Sequence, residues 1–216
     1  MTIRIEDRTG SPPDSANAAL ARICEDFLPK ALAASPRLAD MAKGTDVHVV
    51  LSGDEEAGHW GVDGDAVGYF AVMSPRRIDE DGQWFDVNER FEVHLNMEVA
   101  LPLLAEHGRD GVEQEIEAWL VTIPHELLHV ADWIDTTGGL TPVEVFDSGK
   151  GDLAIGDVFG RMEAAARAAG EDIEDRIEET AREIAYAALL RNPLPREDVE
   201  IVVRKAEIPA GARAFS

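Results

Sequence analysis

The period of apolar and polar positions changes twice along the chain, dividing it into a helix, a group of strands and a longer run of helices. Between Ser15 and Pro36 the apolar residues Leu20, Ile23, Phe27 and Leu28 recur at three and four, the spacing of one helix face. The turn residues of "TGSPPDS" (9–15) come before it, with Asp14 or Ser15 placed to cap its first turn. From Asp46 the period falls to two. "DVHVVLS" alternates Val47, Val49 and Leu51, and "AVGYFAVMS" (66–74) reads as a second strand. "RFEVHLNME" (90–98) is a third, with Phe91, Val93, Leu95 and Met97 on one face. The acidic, glycine-containing stretch from Gly53 to Gly64 is expected to be an exposed loop.

Beyond the strands the helical period returns. Val112, Ile116, Trp119, Leu120 and Ile123 repeat at three and four as far as Pro124, which either kinks this helix or opens a new one. "TTGG" (136–139) supplies a glycine stop. The segment from Leu140 to Gly156 reads as loop-rich. A short Ala-rich helix follows, then a long one from about Asp172 to Arg191. "NPLP" breaks that helix, and "VEIVVRKAEI" (199–208) reads as a final strand. With no internal repeat and no low-complexity linker, residues 1–216 are expected to form one domain of α+β class.

Within the helical half, "VTIPHELLHVADWID" (121–135) carries chemistry. Residues four apart on a helix project from one face, so His125 and His129 present two imidazole nitrogens to a single cation, with Glu126 beside them. The flanking Thr122, Ile123, Leu127, Leu128, Val130 and Ala131 are uncharged, as suits a helix lying behind a metal cleft. Zinc takes about four nitrogen, sulfur or oxygen ligands, and a catalytic site leaves one position for water. Glu126 would then not ligate; it would take a proton from the water that zinc acidifies and pass it to a leaving amine.

Composition narrows the partners. The 43 acidic against 20 basic residues give a net charge of -23, which repels phosphate backbones and argues against nucleic acid as a partner. An apolar content of 45% is enough for a packed core. Cys24 is the single cysteine, so neither an internal disulfide nor a thiolate zinc cluster is available. The N-terminal "MTIRIEDRTGSPPDS" lacks the apolar run of a signal peptide, and no stretch approaches a membrane span. A cytoplasmic location is the expectation.

Around HELLH the chain resembles the zincin metallopeptidases, whose signature is HExxH on an active-site helix. The match is strong over about a dozen residues, Val121 to Trp133. The resemblance implies a zincin-like α+β fold, with a small mixed sheet packed on the active-site helix and further helices. It also implies Zn2+ as cofactor and a peptide or protein as substrate. In that family an extended peptide lies along a strand beside the active-site helix, which by resemblance would be "RFEVHLN" (90–96).

Branches of the family differ in the third ligand, and three residues remain open. In the metzincin pattern, HExxHxxGxxH or HExxHxxGxxD, Asp135 takes the last position. However, Asp132 stands where glycine turns the helix towards the metal, and without that turn Asp135 points away. Asp132, close to His129, is cast instead as an acceptor orienting an imidazole. In the gluzincin pattern a glutamate arrives from a later helix within E-x-x-A. "DRIEETAREIAYAALL" (175–190) offers Glu178-x-x-Ala181. Its helix has an apolar face of Ile173, Ile177, Ala181, Ile184 and Ala188. Glu174 lies nearer the centre of that face, Glu178 lies at its edge, and Glu179 and Glu183 fall on the opposite side. The resemblance favours Glu178, giving His125, His129 and Glu178 as ligands and Glu126 as catalytic acid and base.

Other residues carry weaker expectations. His94 either faces the cleft as an oxyanion donor or, with apolar neighbours Val93 and Leu95, lies on a solvent face. Tyr186, about 80° from Glu178 round its helix, is a poor donor to the same site. His48, His59 and His107 are expected at the surface, and Trp119 and Trp133 in the core. The alternative to a peptidase is a zincin-like module that binds or assembles without catalysis.

Overall fold

The computed structural model describes residues 3–52, 67–75, 85–106, 108–148 and 151–206. Its elements are strand β1 (Ile3–Asp7), helices α1 (Ala16–Ala34) and α2 (Pro36–Gly44), and strands β2 (Val47–Ser52), β3 (Gly68–Pro75) and β4 (Phe85–Asn96). Helices α3 (Met97–Glu106), α4 (Gly108–Leu120), α5 (Thr122–Thr137), α6 (Pro142–Asp147), α7 (Asp152–Ala168), α8 (Ile173–Arg191) and α9 (Arg196–Ala206) follow. Ser15 caps α1, its hydroxyl accepting the Ala18 N–H at 3.1 Å. The loop expected at Gly53 to Gly64 lies outside the described residues, as do His59 and His107.

The four strands form one mixed sheet in the order β1-β2-β4-β3. β1 and β4 run parallel to β2, and β3 runs antiparallel to β4. The chain is thus α+β. Register places Ile3, Val47 and Phe91 side by side, and likewise Ile5, Val49, Val93 and Phe70. This apolar face merges with buried residues of α1, α5, α8 and α9 in one core. Burial of such side chains stabilises by roughly 25 cal/mol for each Å2 of apolar surface removed from water.

Two elements differ from the sequence reading. The described part of the expected final strand, residues 199–206, is helical instead: α9 covers Arg196–Ala206 and buries Val199, Val202 and Val203. That spacing of three and four is helical; the β-branched composition obscured it. Glu197 and Asp198 in the first turn and Arg204 and Lys205 in the last also suit a helix dipole. The segment Leu140 to Gly156 is not loop-rich, because it holds α6 and the start of α7. Thr141 and Glu144 close a capping box on α6, each satisfying the other's backbone N–H.

The opposite face of the sheet is polar, with His48, Glu92 and His94 buried and Glu6 and Arg90 at its more exposed margin. His48 and His94 are therefore not surface residues: His48 Nδ1 lies 3.2 Å from Glu6 and His94 Nε2 lies 3.0 Å from Glu92. Burial alone would raise the Glu92 carboxyl. The His94 hydrogen bond, the Arg8 charge and the Arg90 hydrogen bond overcome it and hold the group down at about 2. A depressed carboxylate stabilises the fold above its unfolded value and loses that contribution as pH falls through the folded value. Glu92→Gln is therefore expected to cost on the order of 3 kcal/mol at pH 7. The difference from the native chain should shrink between pH 4.5 and about 2. Urea unfolding at stepped pH measures it; a difference that stays constant through that range would contradict the assignment.

Candidate metal centre

The site begins where one helix stops and the next starts. Val121 lies between α4 and α5; its N–H reaches the Ala118 carbonyl at 3.2 Å, and its own carbonyl accepts the His125 N–H at 3.1 Å. Pro124 is the third residue of α5, where a backbone N–H has no partner inside the helix, so proline opens α5 rather than kinking α4. Ile123, Leu127, Leu128, Val130 and Trp133 are buried and fix α5 on the sheet. Gly138, at φ 74°, ends the helix. Gly68 matters from the other side. A Cβ there would lie 2.5 Å from Thr122 Cγ2, so glycine lets β3 approach the first turn of α5.

His125 and His129 converge as the spacing requires, with Nε2 atoms 3.3 Å apart. The third group beside them is Glu174, at the start of α8. Its Oε2 lies 3.7 Å from His125 Nε2 and 3.6 Å from His129 Nε2. Zinc bonds of about 2.0–2.1 Å at tetrahedral angles separate neighbouring ligand atoms by roughly 3.3–3.4 Å. Two imidazoles and one carboxylate at these separations form one face of such a tetrahedron, so the donor set fits zinc. Burial holds the His129 imidazole below its ordinary value against the opposing pull of Glu174, with His125 adding to the lowering. A neutral imidazole is the form that ligates.

Glu178, favoured by the family pattern, is placed differently. Its Oε2 lies 3.2 Å from His125 Nδ1, the nitrogen facing away from the cluster, and its Oε1 accepts from Arg182 at 2.6 Å. A carboxylate on Nδ1–H fixes the imidazole tautomer and leaves the Nε2 lone pair for a cation. Asp135 is exposed and paired with Arg37, outside the cluster. Asp132 accepts from Arg37 of α2 and Arg176 of α8, each at 2.6 Å, and not from His129. This clamp ties α5 to α8 two residues from Glu174. No spacing in the sequence joins Arg37 or Arg176 to the motif, and neither was legible there.

Glu126 is buried beside the cluster, with Oε1 3.9 Å from His125 Nε2. Burial pushes its carboxyl up to about 8; the Phe70 backbone N–H works against this shift and the charge of Glu174 adds to it. Phe70 belongs to β3, so the strand next to Glu126 is β3. "RFEVHLN" is part of β4, which pairs with β2 over Phe91–Asn96 and with β3 over Glu92–Leu95 and so lies inside the sheet. His94, on β4, points to the polar face of the sheet, opposite the face that α5 covers, and is no oxyanion donor to this site. Tyr186 is exposed on α8. Trp119 and Trp133 are core residues, as expected; Trp133 packs edge-on against Phe70 and Phe159.

No family model, no curated protein and no solved structure matches this chain. No helix among the described residues is long and apolar enough to cross a membrane.

Proposed function

We propose that the chain is a zinc-dependent peptidase of zincin type, with His125, His129 and Glu174 as the metal ligands. The observation that carries this reading is the trio of ligand-atom separations, 3.3, 3.6 and 3.7 Å, with Glu126 next to it. When bound, zinc supplies Lewis acidity: it acidifies a water and polarises a peptide carbonyl. Glu126 takes the proton of the attacking water and returns it to the leaving amine. With the ion bound, its positive charge would oppose the burial that raises this carboxyl and favour the ionised form that takes the proton. Glu178 holds the Nδ1–H of His125 and so orients the ring. An extended substrate would lie along β3 rather than β4, because β3 borders α5 and gives Glu126 a backbone N–H.

Hydrolysis of a mixture of unstructured peptides, read by mass spectrometry, tests the proposal. The zinc-loaded chain should cut them, a chelator should abolish cutting, and added zinc should restore it. The second reading, a zincin-like binding module, draws support from the placement of His94 and Tyr186, neither of which meets the site as an oxyanion donor. Tight zinc binding with no cleavage across a broad mixture would favour it.

A further inference from the structure

β1 is an outer strand of the sheet, and among the described residues no strand pairs with its far side. In a parallel ladder a strand bonds its neighbour through every second residue. The Arg8 N–H reaches the Leu51 carbonyl of β2 at 2.9 Å, so the backbones of Arg4 and Glu6 face β2 as well. Ile3, Ile5 and Asp7 therefore turn their N–H and C=O groups outward, where no described backbone group meets them. An open row of this kind is a template for a further strand.

The side chains beside that row fall into two sets. Ile3 and Ile5 are partly exposed and face α1 across a groove of about 390 Å3 whose lining includes Leu28, Pro29 and Leu32. Arg4 and Glu6 stand on the other face of the strand. Arg4 is 60% exposed and lies 3.6 Å from Asp46. Glu6 meets Arg8 at 3.0 Å and His48 at 3.2 Å and keeps 40% of its side chain in solvent.

Charges on an edge strand usually discourage pairing. Here they have opposite signs two residues apart, which singles out one pairing of β1 with itself. Across a two-fold axis at Ile5, antiparallel strands set Ile5 opposite Ile5 and, twice over, Arg4 opposite Glu6 of the second copy. Ile3, Ile5 and Asp7 then exchange backbone hydrogen bonds. Arg4 and Glu6 fall at the positions between, where opposed residues come closest, with Cα atoms about 4.5 Å apart. A shift by two residues either way opposes Arg4 to Arg4 or Glu6 to Glu6. An odd shift turns the bonding groups of one strand away from the other. In the favoured register Ile5 of each copy projects on the α1 side of the other's edge, over the apolar groove.

We propose that β1 is a self-association edge: two copies of the chain join through antiparallel β1 strands, in register on Ile5, into one continuous sheet. The net charge of -23 drives copies apart at low salt. Association is therefore expected at physiological ionic strength, which screens charges more than about 8 Å apart and affects the close pairs at β1 much less.

Cross-linking, sedimentation and amide exchange on the full chain test this. Ile5→Cys should form a covalent dimer under mild oxidation, because directly opposed, hydrogen-bonded residues have Cα atoms about 5.5 Å apart, within disulfide range. Cys24 does not compete, being buried with its thiol pushed well above the ordinary value by that burial. Arg4→Cys reports the shifted register and should not cross-link. In sedimentation equilibrium the native chain should dimerise, and Arg4→Glu should weaken the dimer by roughly 10-fold or more, since two opposite-charge pairs become like-charge pairs. Exchange of the Ile5 and Asp7 amides should slow as concentration rises, whereas the Arg4 and Glu6 amides, already bonded to β2, should not change. Circular dichroism checks the fold of each variant; should Ile5→Cys fail to fold, exchange and Arg4→Glu decide. A native chain that stays monomeric, a dimer that Arg4→Glu leaves intact, or cross-linking of Arg4→Cys instead of Ile5→Cys would each overturn the proposal. A dimer with unchanged Ile5 exchange would put the interface elsewhere and overturn it too. So would an Ile5 amide protected in the monomer, which would assign the edge to another part of the same chain.

Discussion

Glu126→Gln is expected to lower kcat for peptide hydrolysis by roughly 10^2- to 10^4-fold, the usual contribution of a positioned acid and base. Zinc content should stay unchanged. Gln keeps the shape of the side chain and still accepts the Phe70 N–H, but it can neither take nor return a proton. The variant should also fold at least as well as the native chain. Burial already disfavours a charge at this position, so a neutral amide removes a cost rather than adding one. Kinetics, metal content and thermal unfolding on one preparation separate these effects. Turnover retained in the variant would contradict the assigned role of Glu126, and lost zinc would mean that Glu126 ligates.

The second large effect concerns the two glutamates of α8. Apparent zinc binding of about 10–16 kcal/mol at four-ligand sites apportions to roughly 3 kcal/mol per ligand, more than 100-fold in affinity. Glu174→Ala should therefore weaken zinc binding by more than about 100-fold. Glu178→Ala removes only a group that orients His125, and losses of that kind run at roughly 10- to 100-fold. Competition with a chelator of known affinity ranks the two variants. The reverse order would return Glu178 to the ligand position that the gluzincin pattern gives it.

The choice between these glutamates shows how far the sequence could be read. HELLH is legible because its geometry is local: helix spacing alone brings His125 and His129 together. The third group comes from another helix. Periodicity shows which side of α8 faces inward, and on that ground both Glu174 and Glu178 were candidates. It does not show how far α8 has slid along α5, and the two glutamates differ by one helical turn. That axial position is fixed by tertiary contacts such as Arg176 with Asp132.

The sheet gives a similar lesson. β2, β3 and β4 were visible as alternating runs, but their order was not, and order decides which strand borders α5. β1 escaped notice because it has five residues with charges between Ile3 and Ile5 and after. The polar face also misled: alternation in β4 suggested solvent beyond His94, whereas His94 and Glu92 there are buried and paired with each other. Helices α1 and α8 were read closely, since their apolar faces persist for several turns.

The central claim is that two imidazoles and one carboxylate hold a single zinc ion. Elemental analysis of the purified chain, reconstituted with zinc and dialysed against metal-free buffer, tests it most directly. One zinc per chain is expected, with none retained in His129→Ala. A native chain that retains no zinc after this treatment would contradict the claim.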